Sequence, residues 1–247
     1  MTPIEFPKRR IDISPRSLLR RYGVLVYLLS IGVASVPCAF AAARHSSAPE
    51  ASFAQPSSTV PQITYAKVLK GSNPEYEKIT VNAEGAGTYD GRKLSDPPNP
   101  RHFKLSDRTT QKVFSLAASL NNFRTCTLES HKRVANLGLK SFQYEQGTQV
   151  NRCQFNYSTN RTAQELTDLL ESIGVVERHI IALDYAMKYD HLGLPRELTL
   201  IQIDLDNKAL VDPQMMVKAL QEITHDPRFL HLAQARAENI LQEIQRQ

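Results

Sequence analysis

The residues able to do chemistry in this 247-residue chain are its seven histidines, its three cysteines and a few clustered acids. His45, His102, His131, His179, His191, His225 and His231 are scattered. No two share a helical face with carboxylates at metal-ligand spacing, and His225 and His231 fall on different sides of a helix. Glu129-Ser130-His131 is a compact Ser/His/carboxylate cluster, the residue types that activate a hydroxyl nucleophile. Consecutive side chains diverge on helices and strands, however, so sequence neighbours do not make a triad. Asp204-x-Asp206-Asn207 opens like a calcium loop, yet Ala209 and Met215 stand where its glycine and closing glutamate belong. These acids read as helix-end or solvated residues.

The motifs G-x-S-x-G, G-x-x-x-x-G-K, G-x-G-x-x-G and H-E-x-x-H are absent from the sequence. The pattern therefore assigns no catalytic residue, no metal and no cofactor. An envelope hydrolase is the competing expectation; its mark would be His131 or His179 beside a carboxylate in one concave pocket. Arg92, Lys93, Arg101, His102 and Lys104 form a basic loop region, read as solvated, with an anion site as the sharper alternative. Asn156-Tyr157-Ser158 and Asn160-Arg161-Thr162 match the glycosylation acceptor pattern, which matters only in a eukaryotic source.

Chemistry also depends on compartment, and the N-terminus addresses that. Lys8, Arg9, Arg10, Arg16, Arg20 and Arg21 precede an uncharged run over 23–43 that ends Ala39-Phe40-Ala41-Ala42-Ala43. Basic region, apolar region and small-residue ending together predict an export signal over 1–43, cleaved after Ala41 or Ala43. A retained membrane anchor is the alternative, since the run is long enough to span and its upstream cations would stay in the cytoplasm. Either way the body lies outside the cytoplasm, periplasmic or extracellular, or anchored to the inner membrane. Cys38 leaves with a cleaved signal, so Cys126 and Cys153 remain and are expected to form a disulfide.

The targeting segment also accounts for most of the net charge of +5. Without it the body is nearly neutral, which argues against nucleic acid as a partner. The remaining charge is split: residues 44–160 carry +6 and residues 161–247 carry −5. Two parts that attract one another explain this without another molecule, while a basic face for an anionic glycan or lipid is the sharper reading.

The elements that would position these groups follow from periodicity. Residues 44–61 are rich in Ser, Ala and Pro and read as a flexible linker. Residues 62–160 predict a small α+β domain: an antiparallel sheet of about five strands with one helix packed on a face. Strand segments fall at 62–69, 75–81, 87–90, 102–105, 139–145 and 148–157, and Ser106 or Asp107 caps a helix to about Asn121. Residues 161–247 predict a C-terminal helical hairpin or bundle. Leu166, Leu169, Ile173, Val176, Ile180, Leu183 and Met187 make a 3-4 seam interrupted by Gly174, which packs on the chain itself or mediates a homo-oligomer through 166–187. The stretch 196–210 reads as helix. Asp212-Pro213 and Asp226-Pro227 each predict a capped helix start, with Val211 and Met216 as a hydrophobic staple on the first.

The hairpin Ile79-Thr80-Val81-Asn82-Ala83-Glu84-Gly85-Ala86-Gly87-Thr88-Tyr89 resembles that of small exported domains of unknown function. The order of signal, Pro/Ser linker, α+β domain and acidic helical tail is similar to that of uncharacterised exported bacterial proteins. The resemblance covers roughly residues 62–157; it implies an exported location and brings no catalytic residue. The expectation is thus a non-catalytic envelope protein that binds an unknown protein or envelope component, touching the membrane only through its N-terminal segment. A helix-mediated oligomeric structural protein is a third class.

Overall fold

The computed structural model describes residues 59–246. The expected signal or anchor over 1–43, with Cys38, Ala41 and Ala43, and most of the linker with His45 lie outside the described residues. The body is α+β, as its patterning predicts. Strands β1 (Gln62–Val68), β2 (Tyr76–Asn82), β3 (Ala86–Arg92), β4 (Arg101–Lys104), β5 (Leu139–Gln146) and β6 (Gln149–Phe155) form one antiparallel sheet. Its order is β4-β3-β2-β1-β5-β6, six strands where about five were expected.

Alternation decides the faces. Ile63, Tyr65, Ile79, Val81 and Phe142 all point inward and are fully buried. Helix α1 (Asp107–Ser119) sets Val113 and Ala117 against this face, and the first half of α2 (Arg161–Tyr189) adds Leu166, Leu170 and Ile173. Helix α1 ends in a left-handed turn, with Asn121, Asn122 and Phe123 at φ of 55°, 46° and 60°. Asparagine tolerates that region and phenylalanine rarely does. What holds Phe123 there is burial: its ring stacks on Phe142 with centroids 5.0 Å apart. The turn delivers Cys126 to Cys153, and the two form the expected disulfide, 27 residues apart in sequence.

Helix α2 has 29 residues and runs through Gly174 without a break. Its seam is spent inside the body, since Leu166, Ile173, Val176 and Leu183 are fully buried. The second half of α2 enters another core with α3 (Leu194–Asp206), α4 (Val217–His225) and α5 (His231–Arg246). One helix therefore belongs to both cores.

The two Asp-Pro signals resolve differently from their reading. Asp212 precedes a short turn of 3-10 helix, Pro213–Met216, but makes no cap there. Its carboxylate accepts instead from Ser106 N at 2.7 Å, Ser106 Oγ at 2.8 Å and Thr109 Oγ1 at 2.8 Å, at the start of α1. Asp226 ends α4 rather than starting α5, which begins at His231. It pairs with Arg228 two residues on, a local bond that holds the chain in a turn.

Candidate functional site

The inner face of the sheet carries one polar row. Lys140, Lys67, Glu77 and Gly91 are successive cross-strand partners from β5 through β1 and β2 to β3. Next to it runs the row Phe142, Tyr65, Ile79, Tyr89 and Arg101. Helix α2 must cross this polar row, and it meets it with Glu171, Gly174, Glu177 and Arg178, spaced to fall on one helical side.

Each contact is specific. Glu171 accepts from Tyr65 Oη at 2.6 Å and from Lys67 Nζ at 2.9 Å. Burial pushes its carboxyl up, but these bonds outweigh burial and hold it below the ordinary value. Glu77 is 5% exposed and accepts from the Arg178 guanidinium and from Tyr89 Oη. For Glu77 burial outweighs the Arg178 charge, so its carboxyl sits above the ordinary range. Gly174 is what admits that carboxylate: a Cβ there would lie 2.4 Å from Glu77 Oε1. Glu177 is 2% exposed, with Arg101 only at 4.0 Å, and burial pushes it up to about 7.

Beyond this row, where α2 leaves the sheet, lies a cleft of about 660 Å³ between α2 and α3. Tyr89 and Arg178 line it on the sheet side, Tyr185 on α2, and Arg196 and Leu200 on α3. His179 stands at its edge, with Nδ1 2.8 Å from Glu197 Oε1 and Nε2 2.9 Å from Asp204 Oδ2. Burial works against charge on this ring, but the two carboxylates outweigh it and raise its pKa above the ordinary value. With a carboxylate at each ring nitrogen, the geometry favours the doubly protonated ring, which can donate to both. Its two acids lie at opposite ends of the ring, so they share no point where a cation could sit. Among the described residues no group of three His, Cys, Asp or Glu could hold a metal ion.

A second cavity, of about 540 Å³, opens at the other end of the polar row beside Lys67, Lys140 and Glu171. Lys140 Nζ donates to the carbonyls of Leu137 and Asn156, each at 3.2 Å, and so ties down the loop before β5. Burial lowers its pKa.

The other sequence candidates are drawn into structural tasks. Glu129 accepts from Asn156 N at 2.6 Å and Ser130 N donates to Tyr157 O at 2.7 Å, while His131 is exposed. That cluster fastens a loop to the end of β6. Asp206 accepts from Gln202 and Asn207 ends α3, so no calcium loop forms. Arg92 pairs with Asp90 at 3.0 Å and lies over the Tyr76 ring, and Arg101 pairs with Asp184 at 2.8 Å. Asn156 bonds Leu137 N and Ala135 O, and Asn160 caps α2, so both acceptor asparagines hold loops in place.

Part of the split charge is met within the body: Lys67–Glu171, Arg101–Asp184 and Lys112–Glu165 pair cations of the basic part with anions of the acidic part, while Arg178–Glu77 joins the two parts in the opposite sense. The sequence reading left His179 without a partner because Glu197 and Asp204 lie on the next helix. Their spacing of seven residues on α3 was a readable sign that the two carboxylates share a face. No protein-family model matches the chain, and no curated protein matches it.

Proposed function

We propose that this chain is an exported or membrane-anchored envelope protein that acts by binding, with the α2–α3 cleft as its ligand site. The observation that carries this reading is the double clamp on His179. A general base needs a free nitrogen lone pair, and both ring nitrogens here face carboxylates. The ring instead fixes α3 against α2 and so shapes the cleft wall. The Cys126–Cys153 disulfide supports an oxidising location, and among the described residues no helix is long and apolar enough to cross a membrane.

The hydrolase alternative keeps one observation, a histidine with a carboxylate in a concave site. Incubation of the purified protein with ester, amide and phosphoester reporters separates the two. The binding reading expects no turnover above buffer; turnover that His179→Ala abolishes would install the hydrolase instead. Mass spectrometry of the protein from an envelope fraction tests location, with the expected mature chain starting at Ala42 or Arg44.

A further inference from the structure

We infer that the cavity beside Lys67 and Lys140, separate from the α2–α3 cleft, binds a small zwitterion of the amino-acid class. The ligand's carboxylate meets Lys140, its ammonium meets Asp168, and its apolar part lies against Leu137 and Tyr157.

The four charged side chains that line this cavity are divided between two walls. Lys67 and Lys140 come from the sheet, while Asp168 and Glu171 come from α2, where a spacing of three puts them on one helical side. The lysines are direct cross-strand partners on β1 and β5, and like charges so placed repel. One carboxylate serves the pair: Glu171 accepts from Lys67 Nζ at 2.9 Å and is also held by the Tyr65 hydroxyl. Lys140 is 9% exposed and pairs with no carboxylate. Its ammonium has three N–H donors, of which the Leu137 and Asn156 carbonyls take two. A buried cation without an anion is costly, so a third donor and a full positive charge are left on a residue that lines the cavity.

Asp168 is its complement on the opposite wall. It is exposed, and its carboxylate makes no hydrogen bond or ion pair among the described residues. It also borders a neighbouring groove with Lys112 and Arg161, but neither pairs with it, and Lys112 is bound to Glu165 instead. A plain anion at Lys140 faces the two carboxylates of the helix wall, and a plain cation at Asp168 faces the two lysines of the sheet. A molecule carrying both charges meets the opposite sign at each end. Leu69, Leu137, Phe155 and Tyr157 supply an apolar lining, and the volume of about 540 Å³ falls in the range of small-molecule sites, roughly 300–1,000 Å³.

Titration calorimetry of the full-length oxidised protein tests this with four compounds. L-leucine and 6-aminohexanoate hold the two charges close together and far apart; N-acetyl-L-leucine and L-leucinamide each lack one charge. Saturable heat at millimolar ligand is expected from at least one zwitterion, with at least tenfold weaker binding of both capped compounds. Asp168→Asn, an isosteric change at an exposed position, weakens that zwitterion at least tenfold with an unchanged melting temperature, and Lys140→Met does the same where it folds. N-acetyl-L-leucine binding as tightly as the zwitterion makes this an anion site, L-leucinamide doing so makes it a cation site, and either overturns the proposal. So does the absence of heat from both zwitterions, or binding that Asp168→Asn leaves unchanged, which puts the ligand elsewhere. The α2–α3 cleft is lined by neither Lys140 nor Asp168, so each outcome leaves the reading of that cleft as it stands.

Discussion

Asp212 secures Ser106, the N-cap of α1, which lies 106 residues before it in the chain. Its carboxylate receives the backbone N–H and hydroxyl of Ser106, with the Thr109 hydroxyl, while Ser106 Oγ accepts from Thr109 N at 3.2 Å. A negative charge at the start of α1 also complements the helix dipole. The contact fastens the connection after α3 to the sheet-covering helix. Asp212→Ala is expected to lower stability by about 1–2 kcal/mol, with faster amide exchange in the first turn of α1. Unchanged exchange there would mean the cap contributes nothing.

Gly174 reverses the usual helix rule. In an exposed helix interior, Gly→Ala stabilises by about 1 kcal/mol. Here the added Cβ meets a carboxylate that cannot swing away without leaving Arg178 and Tyr89. Gly174→Ala is therefore expected to destabilise by about 1–3 kcal/mol. A rise in the urea midpoint would show that Glu77 moves freely.

Glu177 makes stability depend on pH. Its pKa is raised to about 7 in the folded state, so the folded protein binds more protons than the unfolded chain between the ordinary carboxylate value and about 7. Stability contributed by the protonated group is full below the unfolded pKa and is lost as pH rises through about 7. Glu177→Gln is expected to flatten that decline and to raise stability at pH 8 by on the order of 2 kcal/mol. Urea melts at pH 5 and pH 8 provide the comparison; a decline that persists in the variant assigns it elsewhere.

His179 acts in the same direction. Its folded pKa is raised, so the imidazolium contributes fully below the unfolded histidine value and its contribution fades as pH rises through the folded one. His179→Ala leaves Glu197 and Asp204 facing each other's charge across an emptied site. The expected cost is about 2–3 kcal/mol at pH 5.5, shrinking towards pH 9. A cost that grows with pH would show that the ring is neutral.

The Cys126–Cys153 disulfide joins the turn after α1 to β6. Closing a loop of this length is worth about 3–4 kcal/mol in the loop-entropy view. Replacing both cysteines by alanine should lower the denaturant midpoint accordingly, and reductant should then have no further effect. If reductant leaves the wild-type midpoint unchanged, the bridge does not support the native state.

What periodicity could say, it said correctly. Alternation at Ile79 and Val81 or at Cys153 and Phe155 places strands, and the run from Leu166 to Leu183 places α2, because side-chain direction follows directly from local geometry. The site was less readable. The partnerships of His179 with Glu197 and Asp204, and of Glu77 with Arg178, join separate elements whose packing no local pattern encodes. Gly174 shows the difference well. In the sequence it interrupts an apolar seam, and in the structure it is the gap through which a strand carboxylate reaches the helix surface. Asp226 shows the converse, a good local start signal overridden because Arg228 closes a turn first.

Helix α2 has a consequence for how binding would be felt. Its first half completes the sheet core, its second half completes the helical core, and Arg178 and Tyr185 face the cleft from the same rod. Pressure from an occupant on one side chain is therefore carried along a stiff axle to both halves at once. An occupied cleft would resist unfolding of the whole body, and loosening either half would slacken the grip on whatever the cleft holds.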